Sequence, residues 1–143
     1  MTPQTSSRNY DWALLVLRLA LGLTFMAHGS QKLFGLFGGS GLAGMAGGLD
    51  KMGMHPAMLW AWLAALGEFG GGFLVATGLL TRLGALAITI TMLMAIHLVH
   101  FKNGFWLSDH GYEYNLILIS MGVALLIAGA GRFSVDRLIK WKW

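Results

Sequence analysis

Between residues 57 and 80 the chain carries a single ionisable side chain, Glu68, inside a run of otherwise apolar and small residues. About 20 apolar residues in helix span the ~30 Å hydrocarbon core of a bilayer, and three further runs qualify, at residues 12–34, 83–101 and 114–130. Four such runs leave little chain for anything else. They predict an all-α, polytopic membrane four-helix bundle occupying residues 1–143 as a single domain. Charged residues make up 11% of the chain, against about 25% for a soluble domain, which supports the same class.

The first run is long, contains Arg18 and lacks a small-x-small cleavage pattern, so it is read as a retained span and not a removed signal. No cysteine is present, which excludes disulfides, iron–sulfur ligation by the chain and a thiol relay. The positive charge excess points to membrane sidedness and not to a nucleic-acid partner. Arg8, Arg82, Arg132, Arg137, Lys140 and Lys142 fall on the side of the termini and the second connection, whereas Lys32, Lys51 and Lys102 fall on the other. Both termini are therefore expected in the cytoplasm of a bacterial-type inner membrane, with Trp60, Trp62, Trp106, Trp141 and Trp143 near its interfaces.

Along the chain, residues 1–10 read as a polar lead, with Asp11 as the cap of the first helix. Arg18, Gly22, Phe25, Gly29 and Lys32 recur at 4-3-4-3 spacing, one helical stripe that should face the bundle, with His28 beside it. The first outer loop is rich in Gly and Met. Its weakly amphipathic middle, residues 42–52, suits either a short interfacial helix or a lid-like loop. Gly67, Gly71 and Gly78 share one face of the second span, about 100° from Glu68.

A buried charge of this kind normally meets a partner. Depths counted at ~1.5 Å per residue from Asp11 and Ala57 put Arg18 level with Glu68 and predict an ion pair between them. The same count gathers His28, His97, His100, Lys32 and Glu113 in the outer leaflet. Such a cluster suits the polar head of a quinone or quinol, with His28, His100 or Glu113 exchanging protons and Lys32 steadying a reduced oxygen. It also allows a metal on His97, His100 and either His28 or Glu113, but i, i+3 histidines without a third ligand do not establish one, and no metal is predicted. Met45, Met52, Met54, Met92 and Met94 are read as packing residues.

The ordered pattern Arg18-x3-Gly22, His28-Gly29, Lys32, Glu68-x2-Gly71-Gly72, Gly78-Leu79, Arg82, His100, Gly104-Phe105, Gly111-x-Glu113-Tyr114 and Gly129-x-Gly131-x2-Ser134-x-Asp136 resembles the DoxX family of small four-helix membrane proteins. The resemblance implies a link to quinone-dependent oxidoreductase systems, as an enzyme or as a quinone-binding subunit with redox partner subunits or a homo-oligomeric state. It directs attention to Arg18, His28, Lys32, Glu68, His100 and Glu113. Two other readings remain: a small proton-coupled exporter working through Glu68, and a noncatalytic anchor or assembly subunit.

Overall fold

A computed structural model describes residues 3–140, and its regular secondary structure is all helical, with no strand among the described residues. Helix α1 spans Pro3–Phe34. A short turn leads to α2, Gly41–Lys51, then to α3, Ala57–Thr77, and α4, Thr81–Ala95. The α4 axis continues through a π-helical turn, Ile96–His100, and a 3-10 turn, Phe101–Asn103. Helix α5 covers Glu113–Ala128, and the short α6 covers Val135–Leu138. Trp141 and Trp143, expected at an interface, lie outside the described residues.

Among the described residues, three helical stretches are long and apolar enough to cross a membrane: Arg8–Phe34, Ala57–Thr77 and Thr81–Asn103. Helix α5 is apolar but has 16 residues, about 24 Å at 1.5 Å per residue, short of a ~30 Å core. The outer faces are what lipid requires. Val16, Leu23, Leu63, Leu83, Ile90 and Ile127 are all exposed, whereas Leu21, Ala61, Ala65, Val75, Ala85 and Ile88 are fully buried.

Lipid tails are as apolar as leucine, so helices in a bilayer associate through close packing. The stripe predicted on α1 does face α3, and its glycines set the distance. A Cβ on Gly22 would come within 2.6 Å of Ala76 N, and one on Gly29 within 2.5 Å of Phe69 N. Gly72 on α3 meets Gly22 and Met26 from the other side. Gly71 makes the equivalent contact with Gly84, bringing α3 against α4. Two glycine seams on neighbouring faces of α3 thus seat it between α1 and α4.

One local expectation changes, and one choice left open by the sequence is decided. Helix α1 begins at Pro3, so residues 3–10 are helical and Asp11 is inside the helix and not its cap. Asp11 is buried, and its Oδ1 accepts from Arg132 N at 3.0 Å, tying α1 to the chain beyond α5. Between the first two spans the chain forms α2 despite its four glycines, because Ala46 and Leu49 bury against Ala61 of α3. Packing there outweighs the ~1 kcal/mol that each glycine costs a helix. At the other end, Ser134 caps α6 by accepting from Arg137 N at 3.3 Å, while Asp136 turns back to accept from Leu80 N at 2.9 Å.

Candidate functional site

The register of α1 against α3 decides which cation meets Glu68. Gly29 lies against Phe69 and Gly22 against Ala76, so Glu68 falls level with position 30, and one cationic residue of the stripe lies within a turn of that level. That residue is Lys32. Its Nζ donates to Glu68 Oε1 in a direct ion pair, and the pair expected between Arg18 and Glu68 does not form. Arg18 sits fourteen residues earlier on the same stripe, about four turns away.

Arg18 has a different task. Fully buried, it donates from Nε to Val75 O at 3.0 Å, from Nη2 to Ala76 O at 3.1 Å, and from Nη1 to Ala130 O and, at 2.8 Å, to Phe133 O. The α3 carbonyls belong to its last turn, where intrahelical donors run out and a cation is favourable. Gly78 closes α3 in the left-handed conformation at φ 74°, and a Cβ there would come within 2.6 Å of Arg18 Nη2. One guanidinium therefore joins α1, the end of α3 and the segment after α5.

Glu68 is 2% exposed, and its Oε2 has no hydrogen-bond partner among the described residues. An unpaired buried oxygen is costly and asks for a donor. Beside it is a cavity of about 560 Å³ between α2, α3 and α4. Lys32, Glu68 and His100 supply its ionisable groups, Thr91 adds a hydroxyl whose proton goes to Ala87 O, and the remaining wall is almost wholly apolar. Helix α2 forms the cover, presenting Met45 and Leu49, with Met52 and Met54 just beyond its end. Trp60, Leu63 and Met94 complete the sides.

His100 Nδ1 lies 2.7 Å from His110 O, a contact a carbonyl can make only as acceptor. The Nδ1 proton is thereby fixed, which leaves Nε2 as the nitrogen of neutral imidazole able to take a proton. The π-helical turn also separates the two histidines that α-helical spacing would put on one side: His100 lines the cavity, while His97 is exposed and does not. An inserted residue in a helical turn re-aims the side chains that follow it.

Of the seven residues singled out from sequence, Lys32, Glu68 and His100 therefore line one cavity. The other four do not. Arg18 is tied to carbonyls, and His97 faces outward. His28 is exposed, with Nδ1 3.2 Å from Gln31 Oε1. Glu113 Oε2 accepts from Leu107 N at 2.9 Å and holds the loop before α5. Among the described residues no three His, Asp or Glu side chains come together to hold a metal ion. Sequence reasoning missed the methionine cover and Asn115, buried in α5, whose Nδ2 donates to Met92 Sδ at 3.4 Å. A lone Asn in an apolar helix was the available signal for the latter.

Apolar outer faces on three membrane-length helices, with an ammonium–carboxylate pair held inside, define an integral membrane protein. Residues 13–101 match the DoxX family, and the chain belongs to it. It is 33% identical over 132 residues to an uncharacterized protein of Haemophilus influenzae, covering 90% of this chain and 83% of the relative. It is 32% identical over 133 residues to the inner membrane protein YqjF of Escherichia coli, covering 93% and 96%. A Bacillus subtilis protein named "Putative oxidoreductase CatD" is 30% identical over 119 residues, covering 83% and 82%. No solved structure matches the chain.

Proposed function

We propose that this DoxX protein binds a quinone or quinol ring in the cavity under α2, as a quinone-linked membrane oxidoreductase or as the quinone-binding subunit of one. The observation that carries this reading is the unpartnered Glu68 Oε2 beside a mostly apolar cavity that also contains Lys32 and His100. A planar, lipid-soluble ring with oxygen at its edge fits such a lining, where apolar contact gives affinity and a few polar groups give orientation. The name of the B. subtilis relative, "Putative oxidoreductase CatD", agrees with it.

A bound quinone–quinol pair would supply two-electron, two-proton chemistry. The protein's part is to bind, orient and move protons. Lys32 donates toward a ring oxygen and stabilises negative charge there. Glu68 Oε2 would accept the proton of one ring hydroxyl and His100 Nε2 that of the other. The methionine cover keeps water from the ring. Electrons pass to or from a redox partner subunit.

In the membrane arrangement that accompanies this reading, the whole chain is one four-span domain, both termini are cytoplasmic and the cavity opens toward the outer leaflet. Helix α5 completes the four. The exposed Leu116, Ile117, Val123 and Ile127 on α5 support its contact with lipid, and its packing against α4 supports a place in the bundle.

The test is extraction of quinone from protein purified in mild detergent, followed by quinol turnover with and without native partners. Bound quinone that is lost in Lys32→Met and His100→Gln, with folding retained, supports the proposal. Quinone content equal to that of an unrelated membrane protein, together with no dependence of turnover on these residues, would overturn it.

A further inference from the structure

At the opposite end of α4 from His100 lies a second cavity, of about 630 Å³, where α3 turns into α4 and the chain leaves α5. Its wall includes the first turn of α4. Leu80, the residue before that turn, is left-handed at φ 47° and brings no side-chain acceptor, so the amides of Thr81, Arg82 and Leu83 lack a side-chain cap. A second, independent feature is Thr81 itself. The residue is 1% exposed and lines the cavity, yet its Oγ1 has no hydrogen-bond partner among the described residues. Thr77, Thr89 and Thr91 all donate to the carbonyl four residues back. Thr81 opens its helix and makes no such bond.

Charge and apolar surface complete the site. Arg82 and Arg137 both line it. Arg82 spends one N–H on Ile127 O at 3.2 Å, and the Arg137 guanidinium makes no hydrogen bond among the described residues. Asp136 is also in the wall, but its Oδ1 is taken by Leu80 N, and two guanidiniums against one carboxylate leave the cavity net positive. Leu83 and Leu86, 56% and 44% exposed, continue the wall along the outside of α4.

We propose that this cavity binds the phosphate of an anionic phospholipid. The phosphodiester sits on Thr81 Oγ1 and the first-turn amides of α4, between Arg82 and Arg137, and the first acyl carbons run along Leu83 and Leu86. A helix N-terminus offers only donors and a positive dipole end, which suits phosphate. The guanidinium fork matches phosphate oxygens in pairs. The exposed leucines beside the polar group put the site at the edge of the lipid-facing surface, where a phospholipid presents its phosphate and its first acyl carbons together.

Thermal unfolding of the full chain in neutral detergent tests this, with phosphatidylglycerol, phosphatidylcholine or inorganic phosphate added in parallel. Phosphatidylglycerol is expected to raise the midpoint, less so in high salt, while the other two leave it unchanged. Arg137→Gln should weaken the apparent lipid affinity about 5-fold, the contribution of one cation beside an anionic headgroup. Thr81→Val should weaken it without lowering the lipid-free midpoint, since only an unpaired hydroxyl is removed. An equal shift from inorganic phosphate would uphold phosphate recognition and overturn the lipid source. A phosphatidylglycerol effect undiminished in both variants, or no effect in the parent protein, would overturn the site.

Discussion

Lys32 of α1 and Glu68 of α3 form an ion pair at the wall of the α2 cavity, with Glu68 almost wholly buried and Lys32 about one-third exposed. The asymmetry has consequences for stability. Removing Lys32 strands a carboxylate with no other ion-pair partner among the described residues, whereas removing the Glu68 charge leaves an ammonium on a flexible stem that can reach water or headgroups. Lys32→Met is therefore expected to cost about 3–5 kcal/mol, the scale for breaking a buried pair, and Glu68→Gln distinctly less. The double variant should recover much of the loss. Unfolding midpoints of the three variants in one detergent check the order.

Arg18 should behave as a structural residue. Its four carbonyl partners lie on two separate segments, and lysine cannot reproduce the planar fork that reaches them. Arg18→Lys is expected to lower stability by about 3 kcal/mol or more, from hydrogen bonds to a charged group worth ~1.5–3 kcal/mol each. Folded yield by size exclusion and the unfolding midpoint provide the check. Ligand content per folded molecule should stay unchanged.

Glycines at the α1–α3 seam should tolerate no side chain. Gly29→Ala puts a methyl 2.5 Å from Phe69 N and should cost about 1–3 kcal/mol through overpacking. Gly70→Ala meets nothing within 4 Å, and should gain up to about 1 kcal/mol from helix propensity. The two midpoints should therefore move in opposite directions. Gly29→Ala should also reduce ligand retention, because it separates Lys32 from Glu68.

Helix α2 should be separable from the rest. Leu49→Ala removes a side chain that is 8% exposed and packed with Ala46 and Ala61. About 2–3 kcal/mol of local packing is lost, and the cover should open more often while the main helices hold. Amide exchange in residues 41–52 should rise, with little change across α3 and α4.

The stripe on α1 was readable because helical periodicity is local: five residues at 4-3-4-3 spacing must share a face, whatever that face meets. The partner of Glu68 was not readable by the same rule. Arg18 and Lys32 both belong to the stripe, and choosing between them needs the register of two helices remote in sequence. Counting depth from Asp11 places Arg18 seven residues inside the span, but Arg18 lies level with Val75 and Ala76 in the last turn of α3, and Asp11 serves a tertiary contact beyond that end. His97 and His100 show a second limit. Regular α-helical spacing groups them, and a single π-helical turn separates them. In α2 the sequence left helix and loop open, because the deciding term is burial of Ala46 and Leu49 against α3.

Under the proposal, a quinone-class ring binds under α2 beside Lys32, Glu68 and His100. An azido-quinone photolabel, activated on the reconstituted protein and mapped by peptide mass spectrometry, tests it most directly. Label is expected in residues 45–68 and 87–100, competed by unlabelled quinone and reduced in Lys32→Met and His100→Gln but not in His28→Gln or His97→Gln. Label spread over the lipid-facing surface, uncompeted and equal in all variants, would contradict it.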